Sequence, residues 1–322
     1  MLTLGRQEIE SLLPLGECVE VMAETLMALA RGDALQPLRQ AHWLPDRRGL
    51  LGVMPGALLD GGGLDETAVL GVKVVTVFPG NHARGEETHL GSVLLFDGEM
   101  GKPLAILDAA AVTAVRTAAV SALATRLLAR EEASRLALLG SGIQARAHLA
   151  ALLEVRPLRQ VRVWSRHAEK AHRFAAEESV RYGLSVEAAA TAREAVKDAD
   201  VVCTVTSSNE PVLAGSWLAP GAHVNAVGAC TPTAREIDTE AVRRARVFVD
   251  RRESALSEAG DLLIPIQEGA VGEDHIVGEL GDLLLGRLPG RRSAEEITLF
   301  ESLGLAVEDL AAARHVWRKA LR

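Results

Sequence analysis

Residues 135–153 read RLALLGSGIQARAHLAALL, and this stretch decides the fold. A short apolar run, RLALL, leads into Gly140-Ser141-Gly142-Ile143-Gln144-Ala145, which has the form GxGxxA, and a helical pattern follows at once. Strand, glycine-rich turn and helix in that order make a dinucleotide-binding βα unit. The first glycine permits the tight turn, the second lets backbone approach a pyrophosphate, and the small Ala145 lets helix and strand pack closely. The helix N-terminus adds free N–H groups and a partial positive charge. Such a string alone can be an ordinary glycine turn. Its flanking strand and helix favour the nucleotide reading.

Downstream, apolar strands alternate with helices: VRVWS, HAEKAHRFAAEESV, LSVEA, TAREAVKD, DVVCTVT, HVNAVG and, at 246–250, RVFVD. This is the pattern of a parallel sheet covered on both faces. VRVWS ends in Ser165, Arg166 and His167, where NAD enzymes usually present a carboxylate to the adenosine ribose. A hydroxyl and a guanidinium there favour a 2′-phosphate, so NADP(H) is expected as the preferred cofactor with NAD(H) possible. In the alternative reading Arg166 only starts a solvated helix and both cofactors bind. Thr206, closing DVVCTVT, is counted among the cofactor-binding residues.

Upstream the pattern differs. Residues 1–35 read as helical, with Leu12, Leu13, Val19, Met22, Leu26 and Leu29 recurring at spacings near three and four. From 50 to 108 come short runs, LLGVMPG, LGVKVVTVF, GSVLLFD and KPLAILD, separated by turn-rich stretches such as DGGGLD (60–65), with DGEMGK (97–102) as a hairpin. This is a sheet-centred α+β region. An Ala-rich helix over 108–130 connects it to the alternating region, and 303–322 reads as an amphipathic helix that packs back onto the first domain.

The formal net charge of −8 argues against a nucleic-acid partner and for a small molecule. Cys18, Cys203 and Cys230 are odd in number with no CxxC pair, which suggests neither disulfides nor zinc but a reducing, cytoplasmic setting. The N-terminus does not resemble a signal peptide, and no apolar run is judged to approach membrane-spanning length.

Lys73 lies in LGVKVVTVF with Gly71, Val75 and Val77 on its face, an unusual place for a charge. It is either an edge-strand lysine snorkelling to water or a desolvated amine with lowered pKa that exchanges a proton with a substrate nitrogen. Arg116, among alanines, needs an anion, either a structural carboxylate or that of a substrate. Arg39, in QPLRQAHWLP, is a surface residue or a second carboxylate clamp. His82, Glu86, Glu87 and His89 lack the HExxH pattern, and a loop bordering a substrate pocket suits them better than a metal site. The pocket is expected from loops near 78–90 and 206–212.

Taken in order, PLRQ, LLGVMPG, GVKVVTVF, HLGSVLLFD, AVRTAAVSALAT, LLGSGIQA, PGAHVNAVGA and SLGLAVED resemble the signature blocks of the ornithine cyclodeaminase and mu-crystallin family across nearly the whole chain. The resemblance implies a homodimer whose chain makes a split α+β substrate-binding and dimerisation domain (1–115 with 305–322) and a Rossmann-type parallel sheet domain (116–304). It implies that Arg39 and Arg116 bind the substrate carboxylate, that Lys73 is the active-site lysine, and that Val227, Gly228, Leu303 and Gly304 line the nicotinamide. Ornithine cyclodeaminases carry an aspartate after the AVG block, whereas this chain has Cys230. Cys230 is therefore expected at the substrate, but a thiol offers no anion to hold the amine being lost. Reduction of a small α-imino acid, or the reverse amino-acid dehydrogenation, moves ahead of a cyclodeaminase with tightly bound NAD. A protein that only binds NADPH and a ligand is the third reading, and Lys73, Arg39 and Arg116 speak against it.

Overall fold

The computed structural model describes residues 1–59 and 68–322, so the turn expected over 60–65 lies outside the described residues. The chain divides into two compact units, Met1–Ala119 with Gly304–Arg322, and Val120–Leu303. Arg116 and Gly304, which the sequence reading put at the ends of the nucleotide-binding segment, thus belong to the split unit.

Its elements are β1 (Leu2–Leu4), α1 (Arg6–Leu12), α2 (Leu15–Arg31), β2 (Ala34–Leu35), β3 (Gln40–Trp43), β4 (Leu50–Leu58), β5 (Val69–Val77), β6 (His89–Asp97) and β7 (Pro103–Asp108). Helix α3 (Ala109–Leu128) runs on into the second unit. There follow β8 (Arg135–Leu139), α4 (Ile143–Leu153), β9 (Gln160–Trp164), α5 (Ala168–Tyr182), β10 (Ser185–Ala188), α6 (Ala192–Val196), β11 (Val201–Thr204) and β12 (His223–Ala226). The unit closes with α7 (Thr239–Arg244), β13 (Ala245–Val249), α8 (Arg252–Glu258), α9 (Gly260–Gln267), β14 (Ile276–Glu279), α10 (Leu280–Leu284) and β15 (Ile297–Glu301), before α11 (Ala306–Ala320).

Among the described residues the split unit holds one mixed sheet in the order β1-β7-β6-β5-β4-β2, with β3 also on β4. The first 35 residues, expected from sequence to be helical, are not helical throughout. Leu2–Leu4 pairs with β7 and Ala34–Leu35 with β4, tertiary pairings that local periodicity does not reveal. The expected hairpin joins β6 to β7, with the Asp97 carboxylate accepting from the backbone N–H groups of Glu99, Met100 and Lys102. Helix α11 packs on β4, β5, β6 and α2. Glycines let it lie close: Gly56 and Gly71 are cross-strand neighbours, and a Cβ on Gly71 would run into Leu310 and the Leu94 carbonyl.

The second unit's sheet runs β10-β9-β8-β11-β12-β15-β13-β14, with parallel pairings throughout the described residues. Strands β11, β12 and β15 are buried along their whole length, as a sheet covered on both faces requires. Strands β14 and β15 were not foreseen. β15 inserts between β12 and β13, so a late segment supplies a central strand.

Helix α3 corrects another expectation. By length and composition its 20 residues are apolar enough to cross a membrane, but 72% of its most apolar window is buried inside the protein, as in a core helix.

Candidate active site

The glycine loop follows β8. Gly140 has φ +121°, and a Cβ there would lie 2.5 Å from the Val205 carbonyl oxygen, so a side chain is excluded on both counts. Gly142 is the N-cap of α4, with open space where a Cβ would point and no side chain capping the first turn. Ser141 is half-buried, Ile143 is half exposed, and Ala145 is fully buried. The buried Oε1 of Gln144 has no partner among the described residues. Open backbone, free helix N–H groups and an orphaned acceptor fit a dinucleotide pyrophosphate and its surroundings. At the end of β9, Ser165 is half-buried while Arg166 and His167 are exposed, and the His167 N–H donates to Ser165 Oγ (3.4 Å).

The other cofactor candidates of this unit lie where β11, β12 and β15 end, neighbouring strands of one sheet. Ligands of open parallel sheets bind beyond such carboxyl ends. Buried carboxylates that sequence reasoning missed hold these segments. Glu236 accepts from the N–H groups of Thr206 (2.6 Å) and Gly228 (2.7 Å). Asp261 Oδ1 accepts from the N–H groups of Glu236 (2.8 Å) and Ile237 (2.9 Å), and Asp250 from that of Leu303 (2.8 Å). Val227 is buried, and the half-buried Cys230 thiol donates to its carbonyl (3.6 Å). Burial pushes the Asp261 carboxyl up to about 8 and raises Glu236, while burial followed by the charge of Asp261 raises Glu301.

The split unit carries the buried cations Lys73 and Arg116. Lys73 is not on an edge strand: β5 lies between β4 and β6, and the row across the sheet is Met54, Lys73, Val93, Leu107. Only 5% of Lys73 is exposed. Its Nζ donates to Thr113 Oγ1 (2.6 Å) and to both carboxylate oxygens of Asp309 (3.1 and 3.2 Å). Burial lowers the amine to about 8, against the pull of Asp309 and with the push of Arg116 and Arg39. Of the two anions weighed for Arg116, structural carboxylates are present: Nε donates to Asp309 Oδ1 and NH1 to Glu308 Oε2, both at 2.9 Å. Arg39 NH2 donates to the Gly304 carbonyl (3.1 Å). Gly304 has φ +76°, and a Cβ on it would run into the Arg116 guanidinium, so this glycine lies between the two arginines.

Glu308 and Asp309 stand in the first turn of α11, where the helix favours negative charge, and Glu308 also accepts from the Leu305 N–H (3.2 Å). Neither was named from sequence. Two adjacent acids in an otherwise apolar turn, LGLAVEDLAAA, were the available signal. In the 78–90 loop, Glu87 pairs with Arg6 (2.6 Å) and His89 Nδ1 meets Thr88 Oγ1 (3.0 Å), while Glu86 is exposed and the His82 side chain lies outside the described residues. Among the described residues, no group of three or more His, Cys, Asp or Glu is placed to hold a metal ion.

A nucleotide loop, a buried amine and paired arginines in one chain match a known pattern. The family model described as the ornithine cyclodeaminase/mu-crystallin family matches residues 1–322. The chain belongs to this family. Among family relatives, mouse ketimine reductase mu-crystallin is 43% identical over 286 residues, 89% of this chain and 85% of that one. The structure of Thermococcus litoralis Δ1-pyrroline-2-carboxylate reductase in complex with NADH and L-proline superposes with TM-score 0.95 at 38% identity, covering 100% of this chain and 98% of that one. An archaeal alanine dehydrogenase dimer with bound NAD gives 0.92 at 32% identity, with 100% and 96% covered.

Proposed function

We propose that this protein reduces a small α-imino acid to the amino acid with a nicotinamide cofactor, and catalyses the reverse dehydrogenation. The observation that carries the reading is the Lys73 amine, buried in an apolar row yet fixed by Thr113 and Asp309 beside Arg116. A reduced nicotinamide, when bound, supplies the hydride that adds to the C=N carbon. Gly140 to Ala145 would hold its pyrophosphate, Ser165, Arg166 and His167 its adenosine ribose, and Thr206, Val227, Gly228, Leu303 and Gly304 its nicotinamide end. Ser165 and Arg166, with no carboxylate between them, support NADP(H) as the preferred cofactor.

The ammonium form of Lys73 holds a proton at the imine nitrogen, and a protonated imine accepts hydride more readily. Arg39 and Arg116 anchor the substrate carboxylate, so carbon and nitrogen are presented in one orientation. The loop at 78–90, which follows the strand of Lys73, is assigned to the substrate pocket. Cys230, proposed at the substrate, supplies no anion for a departing amine, which favours reduction over cyclodeamination.

The active form is a homodimer in this reading. On the sheet face opposite Lys73, Leu51, Leu70 and Leu90 are exposed at 40, 43 and 45% around the row Pro55, Val72, Leu94, Ile106. A second copy offering the same face would bury it. Three free cysteines suit the cytoplasm, to which we assign the protein.

The test is cofactor oxidation with cyclic α-imino acids, with pyruvate plus ammonia or methylamine, and with an imino-dicarboxylate. One of these should be reduced with stoichiometric consumption of cofactor. Ammonia release from ornithine without net cofactor turnover, and no imine reduction, would replace the proposal with a cyclodeaminase.

A further inference from the structure

Asp309 is fully buried, and its carboxylate serves two cations that lie far from it in sequence. Both oxygens face Lys73 Nζ, and Oδ1 also accepts from Arg116 Nε. Arg116 has a second carboxylate in Glu308, whereas Lys73 meets Asp309 and the neutral hydroxyl of Thr113. The Thr113 hydroxyl donates its own proton to the Ala109 carbonyl (2.6 Å), so it can only accept from Lys73. Thr113 thus fixes the amine as a donor, and Asp309 supplies the negative charge against it.

We infer that Asp309 is a positioning residue of this site, one that keeps Lys73 protonated and ties the proton donor to the arginine anchoring the substrate carboxylate. The inference rests on the imine-reductase reading and adds a residue to it. The charged groups facing Lys73 support it: Asp309 on α11 raises its pKa, while burial, Arg116 on α3 and Arg39 ahead of β3 lower it. His89 on β6 feels Lys73 and is itself held low, first by desolvation. Among the charges that act on Lys73 from the described residues, Asp309 is the one that favours its ammonium form.

Two readouts test this, one of them independent of turnover. The chain has five lysines, Lys73, Lys102, Lys170, Lys197 and Lys319, so NMR of lysine labelled at Cε resolves each, with Lys73→Met assigning its signal. In Asp309→Asn the Lys73 midpoint should fall by about one to three pH units, the range for losing an adjacent opposite charge. The high-pH limb of kcat/KM for imine reduction should fall with it, and kcat should drop more than KM rises. Asp309→Glu keeps the charge but moves it by a methylene. It should leave the midpoint closer to wild type and restore part of kcat, and it covers the case in which Asp309→Asn does not fold. An unmoved Lys73 midpoint in Asp309→Asn, or an Asp309→Glu protein no nearer to wild type than Asp309→Asn in midpoint and kcat, would overturn the inference. A midpoint that moves without the kinetic limb upholds Asp309's hold on Lys73 and instead sinks Lys73 as the proton donor.

Discussion

Gly71 lies beneath Leu310, and the side chain missing from the strand is what lets α11 settle on β5 with Asp309 against Lys73. A methyl group at position 71 meets both a side chain that can turn and the Leu94 carbonyl, which cannot. Gly71→Ala should therefore lower stability by about 1–3 kcal/mol, the usual penalty for overpacking. Activity should fall further than that loss accounts for, because the helix carrying Asp309 is displaced. Denaturant unfolding with kcat measured well below the midpoint checks this; unchanged values for both would show that α11 has slack here.

The two buried cations should respond differently to removal. Lys73→Met leaves Asp309 paired with Arg116, so fold and cofactor binding should persist while turnover falls by at least about a hundredfold. Arg116→Met leaves Asp309 to Lys73 but takes from buried Glu308 its guanidinium partner, a change that costs about 3–5 kcal/mol when a buried pair is broken, and it should raise KM as well. The protonated amine is lost as pH rises through about 8, so wild-type reduction should decline across that range. Near wild-type reduction by Lys73→Met would reduce the lysine to a structural charge.

What was legible in the sequence is what rests on local pattern. The loop from Gly140 to Ala145 sits between strand and helix because glycine and alanine at fixed offsets are a local requirement. Lys73 stood out because alternation gave it apolar neighbours, but that β5 is internal depends on β4 and β6 pairing from either side. Asp309 is 236 residues from Lys73, and no periodicity links the two. β15 was missed for a related reason: ITLFE takes its place between β12 and β13 only through long-range pairing. Glu236 and Asp261 act on backbone N–H groups, which leave no mark on composition.

Cofactor choice should follow Ser165 and Arg166, with kcat/KM higher for NADPH than for NADH. Arg166→Asp should reverse the preference, because a carboxylate accepts from the ribose hydroxyls and repels the 2′-phosphate. Equal or better efficiency of the unaltered enzyme with NADH would rule this out.

Sedimentation at micromolar concentration should give twice the 34.2 kDa chain mass. Leu70→Lys with Leu90→Lys places charges on the apolar outer face of the sheet and should shift the protein toward monomer without touching Lys73. A wild-type monomer of full activity would contradict the assembly.

The buried acids of the second unit should make stability depend on pH. Asp261 is 0% exposed, and burial lifts its carboxyl from 3.8 to about 8. Between those values the unfolded chain gives up this proton and the native protein keeps it. Its contribution is thus fully present below 3.8 and is lost as pH rises through about 8, with a slope of at most about 1.4 kcal/mol per pH unit for one group. Glu236 and Glu301, raised by the same burial, act with the same sign. Asp261→Asn keeps an oxygen to accept from the Glu236 and Ile237 N–H groups and cannot ionise. The variant should therefore lose less stability than wild type between about pH 5 and about pH 8. Urea unfolding at both pH values measures it, and equal slopes for the two proteins would mean that Asp261 does not carry its proton into the folded state.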